Sequence, residues 1–413
     1  MKKLGIVIFI VNLVFTSCSN NDSSPIIDVT PPASTREDVS GLLSSSTTWT
    51  KDKVWVLNGK VVVSDGVTLT IEAGTIVKGK EGTGSLASAL VVARGGKLNA
   101  VGTADSPIIF TTIVDNIAIG EKAGTNLTIA DNSLWGGLLI LGKAKGSFSG
   151  DVPEFQIEGI PAGDTFGLYG GNDDTDNSGH LEYVSIRHGG AEIGAGNEIN
   201  GLTLGAVGSG TIIKNIEIMA TFDDGIEFFG GTVSPSNVII WGQGDDGLDI
   251  DQGFSGTISN AMVIETNISD SGLEIDGGEG TYQALFTINN VTLKSDLNAV
   301  GGKYADFRSN AQGAVNNIYA YNFKPTSYVR INKDDVAQNY LDGKLTFSNW
   351  QIALPTGVTD VTSLFQDHSE SGLVPNFGAA SASWSTAITL GNETTGCDVS
   401  VFGWTYAFAN GAY

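Results

Sequence analysis

Apolar and polar residues alternate in short runs along most of the chain, and this pattern predicts β-strands. Residues 67–72 (VTLTIE) place Val67, Leu69 and Ile71 on one face of a strand and polar side chains on the other. A similar run starts at Leu90, about 20 residues later, and glycine or asparagine follows many of the runs. Short strands separated by turn residues indicate an all-β fold in which the chain turns at regular intervals.

One acidic phrase occurs three times in the middle of the chain. Its copies are DDGIEFFGG from Asp223, DDGLDIDQG from Asp245 and DSGLEIDGG from Asp270. Copies spaced by about 20–30 residues, each with a short strand and glycine turns, are typical of a solenoid in which each copy is one coil. The phrase therefore predicts that successive coils stack with their equivalent residues in register.

The pattern also predicts where the solenoid begins and ends. Residues 41–325 carry the strand-like runs and are predicted to form the coils, whereas residues 326–413 lack a clear coil period and are predicted to form an irregular C-terminal cap. The aromatic tail, residues 401–408, is expected to pack on the last coil. Residues 143–180 interrupt the coils with a long polar stretch, and such loops on a rigid scaffold often carry binding sites.

The N-terminus has the features of a targeting segment. Lys2 and Lys3 precede a short apolar run, residues 4–15, which is too short to span a bilayer as a helix. Small residues stand directly before Cys18, as in a bacterial lipoprotein signal, so residues 1–17 are predicted to be removed and Cys18 to carry a lipid. The alternative is an ordinary secretory signal in which Cys18 is incidental.

Residues 18–40 are rich in serine, asparagine, aspartate and proline, and they are predicted to form a flexible tether between the lipid and the domain. The protein is therefore expected to be anchored by lipid in an outer membrane, on its periplasmic or its cell-surface face. Lipidation of Cys18 would leave Cys397 as the other cysteine of the chain, which excludes an internal disulfide.

The charge balance excludes one class of partner. Lys and Arg together number 22 against 45 Asp and Glu, which gives a formal net charge of −23. Nucleic acid is bound through faces rich in Lys and Arg, so no nucleic-acid partner is expected. The same charge repels acidic polysaccharides unless cations mediate the contact.

A series of short motifs resembles a known family. GTIV from Gly74, ARGGKL from Ala93, GTADSPIIFT from Gly102 and WGGL from Trp135 resemble bacterial surface lipoproteins of the pectin-lyase-like class, of the type found in Bacteroidota. The resemblance implies a right-handed parallel β-helix. The class contains polysaccharide lyases, glycoside hydrolases, adhesins and many uncharacterised lipoproteins, so the fold does not determine the function.

Placed on stacked coils, the acidic phrase forms columns of carboxylates. Its apolar residues point inward, so Glu227, Asp249 and Glu274 are expected to point outward, one above another. Strands in a sheet lie about 4.8 Å apart, and carboxylates at that spacing repel each other unless they keep a proton, bind a cation or face a base. No lysine or arginine occurs between Lys214 and Lys294.

A Ca²⁺ site is one interpretation of these columns, because hard cations prefer carboxylate oxygens. The alternative is a solvated acidic face without a bound ion. The predicted ligands either point outward from the strands or stand at the corner before them, and they are Asp223, Glu227, Asp245, Asp249, Asp251, Asp270, Glu274 and Asp276.

A third interpretation is catalysis, in which one carboxyl acts as an acid and a second as a base or nucleophile on a glycosidic bond. The Asp-Asp-Gly phrases resemble those of polygalacturonase-like hydrolases, but the Gly-His-Gly turn and Arg-Ile-Lys strand of that family are not found. A lyase would need a base instead, and Lys303 and Arg308 are expected two coils beyond the columns. The candidate catalytic residues are Asp224, Glu227, Asp246, Asp249 and His188.

Two classes of function follow from these features. The first is a non-catalytic binding or scaffold module of an outer-membrane lipoprotein, whose partner is a glycan or an outer-membrane protein. The second is a polysaccharide lyase or glycoside hydrolase that uses the acidic columns.

Overall fold

The computed structural model describes residues 35–82, 84–194 and 197–413. The predicted signal peptide, residues 1–17, and the lipidation site Cys18 lie outside the described residues, as does most of the predicted tether. The described chain is a right-handed parallel β-helix, as predicted, built from one 24-stranded parallel sheet. Among the described residues, no helix has the length and apolar character needed to cross a lipid bilayer.

Short strands are the main regular elements of the described chain, and its α-helices are confined to the C-terminal part. The strands are β1 Arg36–Leu43, β2 Thr47–Trp49, β3 Val54–Val63, β4 Thr68–Ile71, β5 Ile76–Gly79, β6 Ala89–Val92, β7 Lys97–Val101, β8 Ile108–Thr112, β9 Leu138–Leu141, β10 Phe155–Gln156, β11 Leu168–Tyr169, β12 Gly179–Arg187, β13 Ala191–Gly194, β14 Asn197–Ile199, β15 Leu202–Gly205, β16 Ile212–Met219, β17 Ile226–Phe229, β18 Ser236–Trp241, β19 Leu248–Asp251, β20 Thr257–Ile264, β21 Leu273–Ile275, β22 Phe286–Lys294, β23 Ala305–Phe307, β24 Gly313–Tyr321, β25 Val329–Ile331, β26 Leu345–Ala353, β27 Phe365–Asp367 and β28 Ser385–Ile388. The α-helices are α1 Asp334–Leu341, α2 Phe377–Ser381 and α3 Tyr406–Ala409.

Parallel pairing stacks the coils into three faces. Face A contains the first halves of β1 and β3, then β5, β8, the second halves of β12, β16, β18, β20, β22, β24 and β26, and β28. Face B contains β2, β4, β7 and the first halves of the same long strands from β12 to β26. Face C contains the second halves of β1 and β3, then β6, β9, β15, β17, β19, β21, β23, β25 and β27.

The register on face C places equivalent apolar residues above one another. Ile226 pairs with Leu248, which pairs with Leu273, and all three are fully buried. Burying each such side chain contributes about 1.5–3 kcal/mol, so the repeated phrase first of all builds the core. The prediction that the apolar residues of the phrase point inward, which was made from their alternation with polar residues, is therefore confirmed.

Asparagine residues bend the long strands between face B and face A. Asn215, Asn237 and Asn260 have φ values of 54°, 56° and 55°, a left-handed conformation that asparagine tolerates better than most residues. The Asn237 amide donates to Asn215 Oδ1 at 2.9 Å, and the Asn260 amide donates to Asn237 Oδ1 at 2.8 Å. Asparagine at these three bends thus links successive coils.

The coils extend beyond the predicted boundaries of 41 and 325. Strand β1 begins at Arg36, inside the predicted tether, and pairs in parallel with β3. At the other end β25, β26, β27 and β28 continue the parallel pairing to Ile388. The period was missed after residue 325 because helix α1 separates β25 from β26 and lengthens that coil.

The C-terminal tail does not pack on the last coil, which corrects the expectation for residues 401–408. Phe402 and Ala407 are buried against Ile239, Met262 and Ile264, on the outer side of face A. The tail therefore runs back along the side of the solenoid.

Aromatic side chains close the C-terminal end of the solenoid instead. Trp384 stacks on Phe347 with ring centroids 4.9 Å apart and meets Phe365 edge-on at 4.7 Å. Trp350 and Phe377 belong to the same cluster and are fully buried. These residues cover the last coil, as a terminal coil of a solenoid requires.

Candidate cation site

The acidic phrases occupy β17, β19 and β21 on face C. Glu227 pairs with Asp249, and Asp249 pairs with Glu274, so the predicted column of carboxylates is confirmed. The column continues through Asp306 to Arg330 on the next two coils. Parallel in-register pairing therefore stacks four carboxylates, from Glu227 to Asp306, at the spacing of the strands, and an arginine follows them.

Several of these carboxylates point outward as predicted and are nevertheless buried. Glu227 and Glu274 point away from the core, yet they are only 7% and 8% exposed, and Asp276 is 7% exposed. At the corner before the strands, Asp224 is 5% and Asp246 1% exposed. Asp245 is exposed, and the other members are half-buried, so the columns lie in a partly covered site; the half-buried residues are Asp223, Asp249, Asp251 and Asp270.

The insertion, residues 143–178, covers neighbouring coils of face C and forms one wall of the site. Tyr169 packs against Phe229, and its hydroxyl contacts Gln252 Oε1 beside the acidic strand β19. The Ser147 N–H donates to the Gln252 carbonyl at 2.7 Å. Apolar contacts thus attach the insertion to the early coils. From there the insertion reaches the later coils, which carry the acidic strands.

The insertion also adds a carboxyl group to the site. Glu158 lies beside Glu227 and Asn200, and burial raises the pKa of Glu158 to about 7. The Asn200 amide donates to Glu227 Oε2. Sequence reasoning missed Glu158 and Asn200, because neither belongs to the repeated phrase and only the fold brings them to it.

The corner before face C forms a ladder of polar contacts from coil to coil. The Asp224 N–H donates to Asn200 Oδ1 at 3.2 Å, and the Asp246 N–H donates to Asp224 Oδ1 at 2.8 Å. Asp246 Oδ1 is buried and receives no hydrogen bond from the described residues. The ladder therefore orders the aspartates and leaves one buried carboxylate oxygen available to a ligand.

Three overlapping triads of carboxylates result, each with one oxygen per residue within 4.8 Å of the others. Asp224 belongs to two triads and Asp245 to two, so the triads form one continuous group. We call this group the acidic cluster; its triads are Asp223, Asp224 and Asp245, then Asp224, Glu227 and Asp249, then Asp245, Asp246 and Asp270.

The acidic cluster overlaps the predicted ligand set in part. Asp224 and Asp246, which the sequence singled out as catalytic candidates, are members of the triads. Asp251, Glu274 and Asp276 were predicted ligands, but they stand outside the triads. Burial, followed by repulsion from Asp276, raises the pKa of Asp251 to about 7.

The close spacing and burial of the carboxyl groups make the ionised form of the acidic cluster unfavourable. Burial, followed by repulsion from Asp245, raises the pKa of Asp223 to about 8. Burial also raises the pKa of Asp224 and Glu227 well above the ordinary range, with repulsion from Asp223 and Asp249 as the next causes. Either retained protons or a bound cation must therefore compensate the cluster at neutral pH.

Two basic residues neutralise the far end of the columns, which corrects the expectation that they stand two coils away. Arg308 contacts Glu274 at 2.7 Å and Asp276 at 2.6 Å from the next coil. Lys303 contacts Asp270 at 2.6 Å. Glu274 and Asp276 therefore already have a cationic partner, whereas most of the acidic cluster does not contact a described base.

His188 does not join the acidic residues. Its ring is buried beneath the C-terminal tail, among Arg187, Met219 and Tyr406, and its Nδ1 lies 2.6 Å from the Asp131 carbonyl oxygen. Burial lowers the pKa of His188, which favours the neutral ring. The position of His188 next to face A thus separates it from the other catalytic candidates, which lie on face C.

Comparisons with known proteins identify the family. The profile of the family described as "Pectate-lyase like beta helix domain" matches residues 41–408. No curated protein matches the sequence. Among solved structures, the chain is similar to a pectin methylesterase from Aspergillus niger, with 10% identity, a TM-score of 0.32, and coverage of 89% of this chain and 88% of that one.

A second similar structure is the catalytic unit of a GH87 α-1,3-glucanase from Streptomyces thermodiastaticus, with 11% identity, a TM-score of 0.30, and coverage of 83% of this chain and 66% of that one. Likenesses this distant concern the fold alone. The family match spans most of the chain and agrees with the parallel coils described above, so the protein belongs to the family of pectate-lyase-like β-helix domains.

Proposed function

We propose that this protein binds Ca²⁺ in the acidic cluster and uses the bound ions to hold an anionic polysaccharide without cleaving it. The observation that carries the proposal is the set of three overlapping triads, whose carboxylate oxygens lie within 4.8 Å of one another. Such a group is unfavourable when empty and deprotonated, and a divalent cation removes that cost.

Calcium fits the donors better than other common metals do. The triads offer carboxylate oxygens alone, which suits a hard cation, whereas softer metals prefer nitrogen or sulfur. Ca²⁺ accepts six to eight oxygens in irregular geometry, while Mg²⁺ demands a compact octahedron. The buried and unpaired Asp246 Oδ1 is one oxygen that a cation would engage.

An anionic polysaccharide is the ligand class that bound calcium favours. A chain with a formal charge of −23 repels acidic glycans, but Ca²⁺ between protein and sugar carboxylates reverses the sign locally. The insertion forms a wall beside the cluster, and Arg308 lies at its far end. A lipid on Cys18 would hold this face at the outer membrane, toward the periplasm or the cell surface.

A non-catalytic binding role agrees better with the positions of the basic residues than a lyase activity does. A lyase needs a base close to a neutralised uronate. Arg308 is held by Glu274 and Asp276, and Lys303 by Asp270 and Asp306, so both cations are already occupied. His188 is buried beside face A.

A glycoside hydrolase is the second candidate, and one contact favours it. Glu158, with its pKa raised to about 7, lies beside Glu227, so one carboxyl holds a proton near neutral pH next to another. Retaining glycosidases use such a pair, with carboxyl groups about 5–5.5 Å apart. In this candidate Glu158 and Glu227 share one proton, so one carboxyl acts as the acid and the other as the nucleophile.

Affinity electrophoresis in gels that contain polygalacturonate tests the proposal. We expect the wild-type protein to be retarded in the presence of Ca²⁺ and to run freely with a chelator. Asp245→Asn, which affects two triads, should lose the retardation. Asp52→Asn removes the same charge from an exposed turn and should keep it.

Two results would contradict the binding proposal. Equal migration with and without Ca²⁺ would show that calcium does not mediate glycan binding. Release of reducing ends from a polysaccharide by the wild type, abolished in Glu158→Gln, would establish the hydrolase instead.

A further inference from the structure

Buried polar atoms without hydrogen bonds gather at one corner of the solenoid. We call it the A–C corner, because it joins the end of face A to the start of face C in each coil from residue 220 to residue 328. Eight of the thirteen such atoms in the described residues lie there, although each of their residues is at most 3% exposed. They are Thr221 Oγ1, Gln243 Nε2 and Oε1, Asp246 Oδ1, Glu265 Oε1, Ser271 Oγ, the Tyr304 hydroxyl and Ser327 Oγ.

Backbone contacts stack these corners along the axis of the solenoid. The Gly244 N–H donates to the Asp223 carbonyl at 3.0 Å, and the Asp270 N–H donates to the Asp245 carbonyl at 2.8 Å. The Lys303 N–H in turn donates to the Asp270 carbonyl at 2.9 Å. The unpaired atoms therefore belong to one column of turns that passes through successive coils.

Side-chain packing holds several of these groups in place. Tyr304 is fully buried and stacks on Phe323 with ring centroids 3.8 Å apart, so its hydroxyl cannot turn to solvent. Glu265 Oε2 accepts the Ser295 hydroxyl, which leaves Oε1 without a donor. The Ser269 hydroxyl donates to the Gln243 backbone carbonyl. The Gln243 side-chain amide has no hydrogen-bond partner among the described residues.

Burying these atoms without any hydrogen bond would greatly lower the free energy of unfolding. An unsatisfied buried polar group costs about 1–3 kcal/mol, and eight of them approach the whole stability of a typical domain, about 5–15 kcal/mol. The set contains donors, such as Gln243 Nε2, and pure acceptors, such as Gln243 Oε1. A metal cation serves only acceptors, whereas water donates and accepts, so water is the ligand that satisfies both kinds of atom.

We propose that the A–C corner encloses a file of buried water molecules that runs along the solenoid from Thr221 to Ser327 and reaches the acidic cluster at Asp246. Each water in the file bonds to two or more of the unpaired atoms and to its neighbours, as buried waters in proteins usually do. The file is independent of calcium, because most of its residues lie outside the acidic cluster.

Oxygen-17 magnetic relaxation dispersion, which detects long-lived internal water, tests the proposal on the whole protein in a chelator. Gln243→Leu should lose at least one such water relative to the wild type. Gln252→Leu is the control, since this buried glutamine bonds to Tyr169 and Glu279 instead. An unchanged water signal in Gln243→Leu, or an equal loss in the control, would overturn the proposal.

The sign of a stability change provides a second test that needs only a folded variant. Tyr304→Phe removes one hydroxyl that has no described protein partner. If water serves this hydroxyl, the variant loses a hydrogen bond and its Tm falls by about 1–2 °C. A rise in Tm would show that the hydroxyl was dry and would overturn the file at this position.

Discussion

Replacing Arg187 with methionine is expected to lower the free energy of unfolding by about 3–5 kcal/mol. Arg187 is 3% exposed and lies 3.4 Å from Glu217, which is not exposed at all. Without the guanidinium, the Glu217 carboxylate keeps, among the described residues, the Ser185 hydroxyl at 2.6 Å and the Ala407 N–H at 2.9 Å as hydrogen-bond donors. An uncompensated buried charge then opposes folding, which equilibrium urea unfolding measures.

Two further variants test whether this loss of stability comes from the unpaired buried carboxylate. Arg187→Met combined with Glu217→Leu removes both charges and should recover most of the lost stability, because the cost comes from the unpaired carboxylate. Arg36→Met breaks an exposed pair with Asp38 and should cost less than about 1 kcal/mol. Equal losses in Arg187→Met and Arg36→Met would contradict the account of the buried pair.

The double substitution Glu227→Gln and Asp249→Asn should act in opposite directions with and without calcium. In a chelator it should stabilise the protein by at least about 1 kcal/mol, since two adjacent carboxylates repel by roughly that amount even at the dielectric of water. With Ca²⁺ present, the variant should lose the stabilisation that the wild type gains from the ion. Thermal unfolding in both buffers measures the two effects.

Glu274→Gln is the matched control for this experiment. Glu274 belongs to the same column, but it contacts Arg308 at 2.7 Å. Burial raises the pKa of Glu274 to about 7 in spite of this contact, so its neutralisation removes a desolvation cost and an arginine contact together and should raise the Tm in a chelator less than the double variant does. If Glu274→Gln raises the Tm as much as the double variant, repulsion within the acidic cluster is not the cause.

The sequence predicted the β-helix and the carboxylate columns because both depend on local periodicity. Alternation in the acidic phrase determines which side chains point inward, and repetition at one coil length places Glu227, Asp249 and Glu274 in register. Stacking follows from these two facts without knowledge of any distant contact.

The partners of the columns were not predictable in this way. Glu158 reaches Glu227 from an insertion that has no repeat, and Arg308 reaches Glu274 from a coil whose loop differs in length from the preceding ones. The burial of the columns likewise depends on where the insertion packs. The tail was placed on the wrong surface because aromatic composition indicates packing but not the face that receives it.

Helix α1 explains why the solenoid was predicted to end too early. It lengthens the coil between β25 and β26, so the spacing of the strands changes although their parallel pairing does not. Aromatic residues such as Trp350 and Phe365 also replace the alternating aliphatic residues of the earlier coils. Periodicity in sequence therefore underestimates a solenoid wherever a coil carries an inserted element.

Equilibrium dialysis against radioactive Ca²⁺ tests the central claim most directly, because it counts bound ions without reference to any glycan. At about 1 mM free Ca²⁺, within the range used by extracellular calcium modules, the wild type should bind at least one ion per chain. The Glu227→Gln and Asp249→Asn double variant should bind fewer. A wild-type protein that binds no calcium under these conditions would contradict the account.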